Sequence, residues 1–85
     1  MEGTMSDHVY TVKGEWDDEA SMWVATSDDV PGLVTEAPTL EALLAKLRVM
    51  VPEMLEINGV LPADAAQRAP FKLIAERLEQ PRAVA

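Results

Sequence analysis

The sequence predicts an α+β domain in which three short antiparallel strands precede one long helix. Three observations carry this: strand-type alternation over residues 8–16, two turn-rich acidic segments behind it, and a helical stripe of apolar residues over 39–57. At 85 residues the chain makes one domain, spanning 1–85, with 1–6 and 79–85 expected to be flexible ends. A chain of this size buries roughly 60–65% of its unfolded surface, which supports one thin core between two layers. That excludes dinucleotide-binding doubly wound folds, (β/α)₈ barrels and most enzymes that need a deep closed pocket.

Residues 8–16 read as the first strand. Tyr10, Val12, Gly14 and Trp16 share one face, and Thr11, Lys13 and Glu15 the other. Asp17, Asp18, Glu19 and Ala20 turn the chain, since aspartates bond nearby backbone amides. A second strand over 22–26 follows, giving a hairpin with a loop of four or five residues. Its register is open, because Trp23 and Val24 are both large and apolar. Asp28-Asp29-Val30-Pro31-Gly32 predicts a type II turn, with Pro31 fixing one φ angle and Gly32 supplying a positive one. Residues 33–36 form a short third strand.

Thr39 is an N-cap, with Glu41 in the first turn. Leu40, Leu44, Leu47, Val51 and Met54 form the stripe, with Leu43 and Leu55 beside it. Asn58-Gly59 ends the helix. Pro52 lacks the N–H that would bond the Arg48 carbonyl, at a cost of about 3 kcal/mol unless packing offsets it, so one bent helix is expected. Residues 60–70 read as a loop with room for one helical turn after Pro62. Residues 71–78 fit two readings. Phe71, Ile74, Ala75 and Leu78 have helical spacing, whereas Phe71, Leu73 and Ala75 alternate as on a strand. Local pattern alone favours helix.

Fifteen acids against seven bases give a formal charge of −8. Residues 1–36 hold nine of the acids and a single base, Lys13, and so carry the whole imbalance. Such a surface repels phosphate backbones, which argues against direct nucleic-acid binding. It favours a basic partner, through faster encounter, or serves solubility alone. With no cysteine there is no disulfide, thiolate nucleophile or Cys-based zinc site. No apolar run reaches the ~18–20 residues of a membrane span. The first residues carry no signal-peptide pattern, Met5 is an alternative start, and the cytoplasm is the expected location.

Catalytic signals are sparse. His8 is the only histidine, near the chain start and without an evident Ser or Asp partner, so no catalytic residue is assigned. Asp17, Asp18 and Glu19, and the pair Asp28 and Asp29, match no Ca²⁺-loop spacing; solvated turn carboxylates are the expectation, with no metal and no cofactor. Gly32 lacks the glycine-rich context of a phosphate cradle. Trp16 and Trp23 sit in acidic surroundings that disfavour stacking on nucleic acid.

One stretch is more specific. Trp16-Asp17-Asp18-Glu19-Ala20, Trp23-Val24-Ala25, the run Asp28 to Ala37 and Thr39-Leu40-Glu41-Ala42-Leu43, with Val51-Pro52-Glu53 and Asn58-Gly59, resemble the HicB antitoxin family. The match runs from about Tyr10 to Gly59 and is most similar to its short stand-alone members. The resemblance implies a partial RNase H-like fold, β-β-β-α-β. One mostly antiparallel sheet carries one long helix on one face, and a fourth strand returns beside the first. That makes 71–77 a strand, which also spares the first strand a bare edge. The RNase H label implies no nuclease, because no spaced carboxylate set for two metals is recognisable.

The resemblance further implies a protein that neutralises a small basic RNA-cleaving toxin of the HicA type. Longer members add a DNA-binding segment, for which the roughly 26 residues after Gly59 leave no room, so no direct nucleic-acid contact is expected. The expected partner-binding residues are Asp17, Asp18, Glu19, Trp23, Asp28 and Asp29. Pro31, Gly32, Thr39, Leu47, Pro52 and Gly59 are the structural motif. The uncovered sheet face, with the second tryptophan on it, or an edge strand is expected to build a homodimer or tetramer. The competing readings are a stand-alone oligomerising or protein-interaction domain and, last, a small hydrolase.

Overall fold

The computed structural model of the chain describes residues 8–81. The flexibility expected of 1–6, and of 82–85 within the 79–85 tail, lies outside the described residues. The elements run β1 (Tyr10–Asp17), β2 (Met22–Thr26), β3 (Val34–Ala37), α1 (Leu40–Ile57), α2 (Ala63–Gln67) and β4 (Phe71–Glu76). They build a four-stranded sheet in the order β3-β2-β1-β4. β1–β2 and β2–β3 are antiparallel, while β4 lies parallel to β1. The fold is α+β, a mixed sheet with a long helix, and α2 is the helical turn after Pro62.

Residues 71–76 form a strand, against their local helical spacing. Tyr10 faces Phe71, Val12 faces Leu73 and Gly14 faces Ala75, so β4 completes the sheet beyond β1. A nonlocal pairing overrides the local pattern here, as β propensity is largely set by what the strand packs against.

Alternation holds along β1. Tyr10, Val12 and Gly14 are buried in the core, and Thr11, Lys13 and Glu15 face away. The helix buries Leu43, Leu47, Val51, Pro52 and Leu55. The centre of the stripe therefore runs through Leu43 and Leu55, and Leu40, Leu44 and Met54 flank it half-buried. Gly14 permits the close approach: a Cβ there would lie 3.3 Å from Leu73 Cδ1 and 3.7 Å from Leu43 Cδ2.

The turn before β3 has the expected type II form. The Leu33 N–H donates to the Val30 carbonyl at 3.2 Å, and Gly32 has φ 77°. α1 starts at Thr39, whose Oγ1 accepts from the Ala42 N–H at 3.0 Å. Thr39→Ala is expected to cost about 1 kcal/mol, read as a shifted urea midpoint with unchanged slope. The helix continues through Pro52, whose ring is buried. Its end is a Schellman motif: Gly59, at φ 71°, donates to the Glu56 carbonyl at 3.0 Å and Val60 to that of Leu55 at 2.9 Å. Asn58 adds a link not foreseen from sequence. Its Nδ2 donates to the carbonyls of Pro31 at 3.0 Å and Met54 at 2.9 Å, tying the helix end to the β2–β3 turn.

Candidate interaction surface

The single long helix covers one face of the sheet. The opposite face is built by the strand residues that alternate away from it, and the registers place them in rows. One row runs Glu36, Val24, Glu15, Glu76 across β3, β2, β1 and β4; the next runs Val34, Thr26, Lys13, Ile74. Thr11 and Lys72 follow at one end, and Asp17 and Met22 at the other. Strands lie about 4.8 Å apart, so three glutamates share one line across the sheet. Glu15 directly faces Glu76, an arrangement that like charges destabilise. All three are exposed. In the next row Val34 is 64% and Ile74 44% exposed, one at each edge of the sheet with Thr26 and Lys13 between them.

Trp23 is not on this face. It pairs with Trp16 and Ala37 on the helix side and packs against the core, so Val24 takes the open position. The register, which the two adjacent apolar residues had left open, decides this. The two indoles meet edge to face at 5.4 Å between centroids. The Arg77 guanidinium sits 4.2 Å over the Trp16 ring, and the Trp16 indole N–H donates to Asp18 at 2.7 Å.

The two acidic turns lie at opposite ends of the sheet. In the β1–β2 turn the Asp17 carboxylate accepts from the amides of Glu19 at 3.0 Å and Ala20 at 3.3 Å. In the β2–β3 turn Ser27 and Asp29 continue the ladder of β1 with side-chain atoms. Ser27 Oγ donates to the Thr11 carbonyl at 2.6 Å, and Asp29 Oδ2 accepts the Thr11 N–H at 2.8 Å. Ser27 Oγ also accepts from the amides of Asp29 at 3.0 Å and Val30 at 3.1 Å. Asp17 and Asp29 are thus turn-building groups. Asp18, Glu19 and Asp28 are exposed. Asp28 and Asp29 line a hollow with Thr11 and Lys13 of the open face.

His8 has a carboxylate neighbour after all: its Nε2 lies 4.0 Å from Asp29 Oδ2. The Ser27 hydroxyl in the same turn gives its proton to a backbone carbonyl and accepts two amides. His8 also lines a cleft of about 300 Å³ with Tyr10, Leu61 and Arg68, where Arg68 lies 3.7 Å from Asp64. Among the described residues no three His, Asp or Glu side chains gather as a metal site would require, and no helix is long and apolar enough to cross a membrane.

Sequence reasoning did not find the row of Glu15, Glu36 and Glu76. Alternation places Glu15 on the outer face, but the row depends on the registers of three separate strand pairs.

These features define a small α+β sheet-and-helix domain with one open, acidic and partly apolar face. The chain belongs to the family described as domain of unknown function (DUF1902), which matches residues 9–85. It is similar to a hypothetical protein from the extremely thermophilic bacterium Thermus thermophilus, known from a crystal structure. The two are 53% identical, the match covers 88% of this chain and 99% of that one, and the TM-score is 0.66. No curated protein matches the chain.

Proposed function

We propose that this chain is a protein-binding module of the HicB antitoxin type, acting in the cytoplasm without a catalytic role, whose open sheet face covers a small basic RNA-cleaving toxin. The observation that carries the reading is the line of Glu15, Glu36 and Glu76 beside exposed Val34 and Ile74. Carboxylates directly opposite each other weaken a sheet, and a cationic partner turns that cost into binding energy. Val24, between Glu36 and Glu15 in that line, gives such a contact an apolar centre, and Val34 lies at its rim. The strand order β3-β2-β1-β4 with the helix on one face supports reading the fold as partial RNase H-like.

On this reading the glutamate row and the exposed Asp18, Glu19 and Asp28 steer association, and the apolar side chains set dissociation. The test is co-expression with a HicA-type basic protein encoded beside this gene, followed by binding kinetics. Changing Glu15, Glu36 and Glu76 together to Gln is expected to slow association about tenfold at low salt and to flatten its salt dependence. A rate insensitive to both salt and these substitutions leaves the charge as a solubility device and removes the proposal. A second reading, a stand-alone oligomerising domain, is favoured by the uncovered edge of β4.

A further inference from the structure

We infer that two copies of this chain pair through the outer edge of β4, antiparallel, about a two-fold axis at Ile74. This does not rest on the proposed toxin partner.

The sheet has two edges, β3 and β4. At β3, four residues long, the Lys46 ammonium donates to the Glu36 carbonyl at 2.6 Å. A lysine laid on an edge strand is a common device against strand addition. β4 is six residues long, and among the described residues nothing donates to its outer edge.

Backbone geometry fixes which residues of β4 are available. The Tyr10 N–H donates to the Pro70 carbonyl at 3.0 Å, and Tyr10 lies opposite Phe71. In a parallel ladder alternate residues turn both backbone groups to one neighbour. Lys72 and Ile74 therefore turn theirs to β1, and Phe71, Leu73 and Ala75 turn theirs outward. An antiparallel partner exchanges hydrogen bonds only with outward residues. An axis at Ile74 satisfies this: Leu73 bonds Ala75 of the second copy, Phe71 reaches Arg77 of the second copy, and Ile74 faces itself.

The same axis is self-complementary in charge. On the open face Lys72 falls opposite Glu76 of the second copy, and the symmetry makes the pair twice. These are the non-hydrogen-bonded positions, where side chains approach most closely. Glu76, which faces Glu15 within its own sheet, thereby gains a cation. Ile74, 44% exposed, is covered by its own copy. Shifting the axis to Leu73 or Ala75 sets Lys72 or Glu76 against Ile74 and loses both ion pairs. The product is an eight-stranded sheet with both long helices on one side and both glutamate rows on the other.

Because the chain has no cysteine, a single introduced thiol reports the axis cleanly. Facing residues at non-hydrogen-bonded positions have Cα atoms about 4.5 Å apart, within disulfide range. Ile74→Cys is expected to give a disulfide-linked dimer under mild oxidation, and Val34→Cys on β3 is expected to stay monomeric on a denaturing gel. In sedimentation equilibrium the full chain is expected to be a dimer at about 100 µM. Lys72→Glu should weaken it about tenfold, and the swap Lys72→Glu with Glu76→Lys should restore it. Circular dichroism shows that each variant is folded. A monomeric wild type, a dimer unaffected by Lys72→Glu, no rescue by the swap, or cross-linking at Val34→Cys in place of Ile74→Cys overturns the inference.

Discussion

Leu47→Ala will lower the unfolding free energy by about 2–5 kcal/mol, the range for a large side chain removed from a packed core. Leu47 is 0% exposed, in the middle of the buried line Leu43, Leu47, Val51, Leu55. With Gly14 bringing α1 close to the sheet, neighbours have little freedom to close the hole. Urea denaturation followed by circular dichroism measures the loss. A change as mild as that expected for Thr39→Ala would mean that α1 does not seat on the sheet through this line.

Ser27→Ala will cost about 1–3 kcal/mol, more than a loop substitution ordinarily does. One hydroxyl serves three backbone groups: it donates to the Thr11 carbonyl and accepts from the amides of Asp29 and Val30. Its removal leaves all three without that partner and frees the segment that positions Asp29 on the Thr11 N–H. Hydrogen exchange is the sharper readout. Thr11, Asp29 and Val30 amides should lose protection in the variant while the amides of α1 keep theirs. Uniform loss across the domain would show that the turn is not a separate device.

These two residues also mark how much was legible in the sequence. The 3.6-residue period of α1, its Thr39 cap and its Gly59 end are local signals, and each appears in place. The type II turn at Pro31-Gly32 is local in the same sense. Over Phe71 to Glu76 the local spacing favours helix, and the strand is legible only through the family resemblance and the bare edge that β1 would otherwise have. The parallel pairing with β1, some sixty residues earlier in the chain, is what holds it as a strand. The run around Asp28 and Asp29 was legible as a turn. That Ser27 and Asp29 extend the β1 ladder was not, since it depends on two side chains meeting one distant residue, Thr11. The open sheet face shows this most clearly. Trp23 and Val24 are both large and apolar, and only the register puts Trp23 under the helix and Val24 between two glutamates.

The central claim, that the open face receives a basic protein, is tested most directly by amide chemical-shift mapping. The ¹⁵N-labelled chain is titrated with a HicA-type toxin made inactive for RNA cleavage. The account predicts that the largest shifts fall on Lys13, Glu15, Val24, Thr26, Val34 and Glu36, while Ala45 and Val49 on the outer side of α1 stay unmoved. Saturable shifts confined to α1, or no shifts at all, would contradict it.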